Sequence, residues 1–448
     1  MPLFDWQVPI ADAAFKSLRD DRFFINACTT GSGKTFICCD VMERLKVPTL
    51  VIAPKVARTQ WLRVAESFGV DKYLLDIINP EQISKPSGCS WYTRDQLWKI
   101  PANTCVVFDE IHRGASGIYK QPGAGKKAKS ITTRAVAELK AYPGARLHAM
   151  SATTACDPLH LQALGFWAGL HKFNTDHFYW WCRQHGCKDV PIGWGAASAG
   201  RSKFQFTKNK SEAILCMQEI RQALGSKFMC LGPDDIPGFP TQTLNTKLID
   251  LSRRDRKEID EAYAAMSDRM KTEATADIAK NIKERERIEF VMAEAVAELT
   301  ANAINDGFSV VTFFNFTEPR QRFTAALRKL SKTGISEIYG GQKSDRQNEI
   351  DLFQANVNHA TVVSTEAGGV AISLHDVLHQ RPRRSFLIPS FNAASIKQAL
   401  GRIRRAEGTH AIQTFVLAAG TVQERVQRSL ERKLGNIDAL NTADLIPN

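Results

Sequence analysis

Cys28-Thr29-Thr30-Gly31-Ser32-Gly33-Lys34-Thr35 follows a short apolar run, Phe23-Phe24-Ile25, and leads into a stretch of helical periodicity. Glycines at this spacing let successive backbone N–H groups turn inward on a triphosphate at a helix N-terminus. Thr30, Gly31, Ser32 and Gly33 form the cradle, Lys34 reaches the β- and γ-phosphates of ATP, and the Thr35 hydroxyl ligates Mg²⁺. Cys28 stands where the generic loop carries a small residue, and it keeps the volume low. An ordinary Gly/Ser turn could carry the same letters. Val106-Val107-Phe108-Asp109-Glu110-Ile111-His112 separates the two readings, because it is a buried-strand run that ends in adjacent carboxylates.

The totals bound the rest. At 448 residues the chain is too long for one ordinary core, and it fits two domains of about 200 residues each. Hydrophobic content of 44% with 24% charged residues describes a globular protein rather than a disordered one. No apolar run reaches the roughly 18 residues that span a bilayer, and Met1-Pro2-Leu3-Phe4-Asp5-Trp6 lacks a signal-peptide layout. An intracellular protein, not secreted, is the expectation. The scattered cysteines contain no C-x-x-C pair, which suits reduced thiols. A net charge of +12 fits a polyanionic partner, although many basic proteins bind no nucleic acid.

Alternating β-rich runs and amphipathic stretches fill the first 155 residues. Strands are expected at 23–27, 49–53, 104–108 and 146–150, with helices at 36–45 and 58–68. This alternation predicts a parallel sheet wrapped by helices, with function at the edge where strands end. Residues 113–134 read as a Gly- and Lys-rich surface loop, either merely solvated or touching phosphates. The segment 155–240 is aromatic-rich and irregular, and Pro233, Pro237 and Pro240 mark a linker. A charged helical lead-in at 251–305 reads as a solvated face laced with i,i+4 pairs. A second β/α alternation follows, with strands at 309–314, 337–339, 360–364, 385–388 and 413–417. The expected class is α/β, with two tandem lobes over 1–240 and 241–448, each a parallel sheet with flanking helices.

Asp109 is the expected Mg²⁺ carboxylate, and Glu110 the group that polarises the water attacking the γ-phosphate. Gln398-Ala399-Leu400-Gly401-Arg402-Ile403-Arg404-Arg405 closes the second lobe with arginines three apart. On a helix Arg402 and Arg405 would share one face. Such guanidinium groups can neutralise charge developing on a transferred phosphoryl, or form a plain basic patch. Cys182, His185 and Cys187 could ligate zinc, but their short spacing and the lack of a second pair favour a structural role.

The order of these elements resembles helicase superfamily 2, and within it the Snf-type ATPases of DNA translocases and annealing helicases. Nearly the whole chain is covered. Phe4-Asp5-Trp6-Gln7 is similar to the adenine-sensing element, with Gln7 as its glutamine; Leu50 to Lys55 with Gln60-Trp61 resembles the second motif. Ser151-Ala152-Thr153 resembles the motif that couples the lobes, Val311 to Thr317 the fourth motif, and Ser364 to Leu374 the fifth. Phe178 to Cys182 through Trp194 to Phe239-Pro240 resembles the segment between lobes in the annealing branch, and Gly420 to Val426 the C-terminal brace. Ala371 and Ser373 depart from the usual Gly and Asn, and Gly401 from the usual Asp; this weakens a reading as a nucleosome remodeller.

The resemblance implies two RecA-like lobes with ATP between them. It implies nucleotide contacts from Gln7 and Gly369, coupling through His112, Ser151, Thr153 and Gln398, and nucleic-acid contacts at Pro54, Lys55, Thr93 and Thr365. The leading expectation is an ATP-dependent, monomeric motor on duplex, forked or single-stranded DNA, contacted without reading sequence and working with replication or recombination proteins. An RNA helicase and a non-catalytic DNA-binding or annealing protein are the alternatives.

Overall fold

The computed structural model describes residues 2–84, 90–93, 95, 97–119, 130–191, 202–272, 278–340, 342, 345–364, 372–389 and 393–441. The apolar runs become parallel strands because they are buried on both faces and bounded by polar turns. The first unit holds β1 (Phe23–Asn26), β2 (Thr49–Ile52), β3 (Leu75–Ile78), β4 (Cys105–Asp109) and β5 (Arg146–Met150). The pair β6 (Cys187–Pro191) and β7 (Ser202–Phe206) and the short β8 (Phe228–Met229) follow. Its six-stranded sheet runs β3-β2-β4-β5-β1-β8, every neighbouring pair parallel. β5 therefore separates the strand before the glycine-rich loop from the strand that ends in the carboxylates. This is the RecA-like arrangement.

β3 and β8, the two edge strands, are absent from the sequence expectation. β3 is four residues with a charged Asp76, and β8 is two residues long. Asp76 interrupts the apolar run around β3, and the apolar run Phe228-Met229-Cys230-Leu231 at β8 is only four residues long. The segment expected to be irregular contains the helices Gln162–Ala168, Thr175–Gln184 and Lys210–Leu224. Asn174 and Asn209 cap the last two, accepting from the backbone N–H groups of His177 and Glu212. Trp167 and Trp181 join the core of the first unit, while Trp180 stays 55% exposed. The loop expected at 113–134 is also shorter than read. Ile111–Ala115 is a short helix and Ile131 opens the helix Ile131–Glu138.

The second unit is built on β9 (Gln242–Ile249), β10 (Ser309–Phe314), β11 (Gly334–Ile338), β12 (Asn358–Ser364), β13 (Arg383–Leu387) and β14 (Ala411–Ala418). These form a six-stranded sheet in the order β11-β12-β10-β13-β14-β9, again all parallel. β9 escapes the sequence reading because seven of its eight residues are exposed at the sheet edge. The charged lead-in forms the helices Arg253–Thr272 and Ile278–Asn305. It is not solvated all round. Ile259, Ala262 and Met266 on one helix, and Ile288, Met292 and Val296 on the other, recur at helical spacing and join the core. Between the two helices, Arg287 bridges to Glu258 at 2.7 Å.

Among the described residues the compact units divide between Pro237 and Gly238, and residues 434–441 of the helix Gln423–Asn441 group with the first unit. That differs from a second lobe running through to the end of the chain. Ala439 and Leu440 are buried in the first unit's core, and Asn436 Nδ2 donates to the Cys156 carbonyl at 3.2 Å. Leu440→Ala is expected to destabilise the first unit by about 2–5 kcal/mol through the cavity it leaves. Denaturant unfolding followed by fluorescence of the buried Trp61, Trp98, Trp167 and Trp181 reads this directly.

Candidate active site

In a parallel sheet the C-terminal strand ends share one edge, and three adjacent strands here deliver three motifs to it. β1 leads to the glycine-rich loop, β4 to Asp109 and Glu110, and β5 to Ser151-Ala152-Thr153. Gly31 and Gly33 adopt φ of 83° and 72°, in the left-handed region that favours glycine. The helix Lys34–Leu45 begins directly after Gly33. A Cβ on Gly33 would sit 2.3 Å from Gln7 Nε2. That contact exists because Gln7, buried, donates from Nε2 to the Ser32 carbonyl at 3.1 Å and accepts from the Phe4 N–H at 3.1 Å. Gln7 thus braces the loop. Thr30 and Thr35 are half-buried, and Lys34 Nζ donates to the Cys28 and Thr29 carbonyls at 2.9 and 3.1 Å.

Charge is tightly balanced around Lys34. Burial lowers the lysine's pKa, opposed by the nearby Glu110 and Asp109 carboxylates. Burial also raises Asp109, reinforced by Glu110 and opposed by a hydrogen bond from Trp61 and by the Lys34 charge. Trp61 Nε1 donates to Asp109 Oδ2 at 3.0 Å. The indole is 1% exposed on the helix Arg58–Ser67 and is packed among Cys38, Val51 and Val107. In the sequence Trp61 is only part of a motif; its contact with the carboxylate depends on how that helix lies against β4.

Glu110 has φ 56° and ψ 49°, a left-handed conformation that is strained for a side chain of this size. The strain turns the carboxylate out of the strand direction. Its Oε2 is buried without a hydrogen-bond partner and lies 3.4 Å from His112 Nδ1. His112 Nδ1 is 2.7 Å from Ser151 Oγ and 3.1 Å from Thr153 Oγ1. Thr153 N–H in turn donates to Ser151 Oγ at 2.9 Å. Burial pushes His112 down to about 4, so the imidazole is neutral at pH 7. Glu110, His112, Ser151 and Thr153 are one contiguous cluster.

In the second unit, Arg402 and Arg405 do not lie on a helix. The helix Ala393–Leu400 ends before them, at Gly401. Gln413 Nε2 donates to the terminal Leu400 carbonyl at 2.9 Å. The two guanidinium groups still converge, since Arg402 Nη1 and Arg405 Nη2 donate to the Ile372 carbonyl at 3.2 and 2.9 Å. Gln398 is buried on that helix. Asn315 of the fourth motif is held by the buried Glu289, which accepts from its backbone N–H at 2.8 Å and from its side-chain amide. Burial raises Glu289 to about 7.

Of the expected nucleic-acid contacts, Pro54 opens a 3-10 turn at Lys55–Ala57 with Lys55 exposed. Thr93 Oγ1 accepts from the Leu97 N–H at 3.1 Å. Thr365 and Gly369 lie outside the described residues. Cys182 and Cys187 are buried, and His185 Nδ1 is 2.9 Å from the Trp181 carbonyl.

Fold and site together define a two-lobed parallel α/β protein whose first lobe gathers a glycine-rich loop, paired carboxylates and a hydroxyl motif at one sheet edge. No protein-family model matches the chain. It is similar to a curated protein of Acanthamoeba polyphaga mimivirus named "Putative ATP-dependent RNA helicase", 26% identical over 459 residues that cover 94% of this chain and 80% of the relative. Among solved structures, S. cerevisiae Dbp5 bound to RNA and ADP BeF3 is 12% identical with a TM-score of 0.48, covering 95% of this chain and 87% of that one. The Sulfolobus solfataricus SWI2/SNF2 ATPase core domain is 15% identical with a TM-score of 0.37, covering 96% and 88%. Among the described residues, no helix is long and apolar enough to cross a membrane.

Trp61→Phe removes one hydrogen bond to a carboxylate while keeping an aromatic ring in place. It is expected to raise the Mg²⁺ concentration needed for half-maximal binding of a fluorescent ATP analogue by about tenfold. Equal Mg²⁺ dependence in the variant and the parent protein would show that the indole only packs.

Proposed function

We propose that this chain is an ATP-hydrolysing motor of helicase superfamily 2 that couples hydrolysis to movement on nucleic acid. The observation that carries the reading is Glu110, held in a strained left-handed conformation beside Asp109 on the edge that also carries the glycine-rich loop. Backbone strain of this kind persists where surrounding structure imposes it, and it gathers at active sites.

In this reading the backbone N–H groups of 31–34 and Lys34 bind the phosphates of ATP, and Gln7 holds the loop that does so. Thr35 and Asp109 would hold Mg²⁺, which when bound neutralises phosphate charge. The half-buried Thr35 and the half-buried Asp109 carboxylate, fixed by Trp61, suit an oxygen-liganded cation of this type. Glu110 orients and polarises the attacking water. His112 lies within reach of Glu110 and of Ser151 and Thr153, so a change at the carboxylate is felt by the hydroxyl motif. Arg402 and Arg405 act on charge developing at the transferred phosphoryl.

DNA is the first substrate reading, supported by the Snf-like Gln60-Trp61, while the net charge of +12 fits either polyanion. The name of the viral relative favours RNA as the second. Competition for stimulation of ATP turnover by duplex DNA, forked DNA, single-stranded DNA and RNA decides between them. Stimulation by RNA alone would discard the DNA reading. Glu110→Gln is expected to lower stimulated turnover by at least about 100-fold while nucleic-acid binding persists. Arg405→Ala should lower turnover far more than ATP affinity; a loss confined to affinity would remove the arginine from phosphoryl transfer.

A further inference from the structure

Directly after Ser151-Ala152-Thr153, the chain makes the turn Cys156-Asp157-Pro158-Leu159-His160. Cys156, Asp157 and His160 each offer a metal-ligand atom, and these atoms all lie within 4.8 Å of one another. We propose that this turn is a binding site for a divalent cation of the zinc class, separate from the Mg²⁺ of the nucleotide.

The distances carry the proposal. Cys156 Sγ is 3.3 Å from His160 Nδ1, His160 Nδ1 is 3.7 Å from Asp157 Oδ1, and Cys156 Sγ is 4.0 Å from Asp157 Oδ2. Ligand atoms on a tetrahedral zinc are about 3.4–3.6 Å apart, given Zn–S near 2.3 Å and Zn–N near 2.0–2.1 Å. The sulfur–nitrogen and nitrogen–oxygen separations are therefore within a few tenths of an ångström of tetrahedral edge lengths, and the sulfur lies 4.0 Å from the other oxygen of the same carboxylate.

Turn capping accounts for only part of this arrangement. Asp157 Oδ1 accepts from the Leu159 N–H at 2.9 Å and caps the 3-10 turn Pro158–Leu161. That role needs neither the thiol nor the imidazole. The Cys156 N–H donates to His160 Nδ1 at 3.4 Å, a long bond that a metal would displace by taking the same lone pair. All three residues are half-buried, so a cation can enter and a water can complete the coordination. A thiolate, an imidazole and a carboxylate together suit zinc-class cations, whereas Mg²⁺ and Ca²⁺ prefer oxygen alone. Bound metal would staple residue 156 to residue 160, fixing the chain just beyond Thr153. Asn436 already holds the same Cys156 through its carbonyl.

The test is titration of the metal-stripped full chain with Co²⁺, read by visible d–d bands and a thiolate-to-metal charge-transfer band in the near ultraviolet. One Co²⁺ per chain with both signatures is expected, displaced by Zn²⁺ and not by Mg²⁺. Cys156→Ser should abolish the charge-transfer band, and His160→Ala should weaken affinity at least about tenfold. Asp157→Asn keeps a capping oxygen and so guards against misfolding; it too should weaken Co²⁺ binding. Absence of the charge-transfer band in the parent protein would overturn the site. So would a band that survives Cys156→Ser, which would assign the thiolate to another cysteine, or unchanged affinity in a folded Asp157→Asn protein.

Discussion

The parallel adjacency of β4, β5 and β1 is the constraint on which the candidate site depends. Each strand pairs in register with its neighbour, so their C-terminal ends are level and the three following loops must share one edge. Residues from positions 34, 109 and 151 meet because of strand order, not because any one of them attracts the others. The buried runs Phe23–Asn26 and Cys105–Asp109 supply the hydrophobic burial that holds this order, at roughly 25 cal/mol per Å² of apolar surface.

Once the sheet has set the edge, local electrostatics tune it. Burial disfavours the charges of Lys34 and Asp109. The two carboxylates offset it at the lysine, whereas at Asp109 the neighbouring Glu110 adds to it and Lys34 and Trp61 oppose it. The indole N–H of Trp61 adds a fixed dipole on Asp109 that does not depend on any ligand. Glu110, by contrast, has a strained left-handed backbone, and its Oε2 is buried without a hydrogen-bond partner.

Most of the central architecture was legible in the sequence because central strands bury both faces. Val106-Val107-Phe108 and Val310-Val311-Thr312-Phe313-Phe314 read as strands from composition alone. The edges were not legible. β9 is mostly polar and exposed, a charge interrupts β3, and β8 is only two residues long, so their signatures are weak. The glycine-rich loop and the carboxylates were legible because their chemistry demands fixed spacing. The indole of Trp61 on Asp109, the brace from Gln7 to the Ser32 carbonyl and the turn at 156–160 follow from packing across long stretches or from turn geometry. The non-helical placement of Arg402 and Arg405 belongs with them. Gly401 is a weak helix residue, and the Gln413 amide takes the Leu400 carbonyl, so the helix ends at Leu400, two residues before the first arginine.

The central claim is that ATP turnover at this edge is coupled to nucleic acid. Its most direct test is the steady-state ATP hydrolysis rate of the unaltered protein, with and without a saturating polynucleotide, at several salt concentrations. Coupling predicts low basal turnover that rises at least about tenfold with polynucleotide, and a stimulation that fades as salt screens the phosphates. Turnover that is the same with and without polynucleotide at low salt would contradict it.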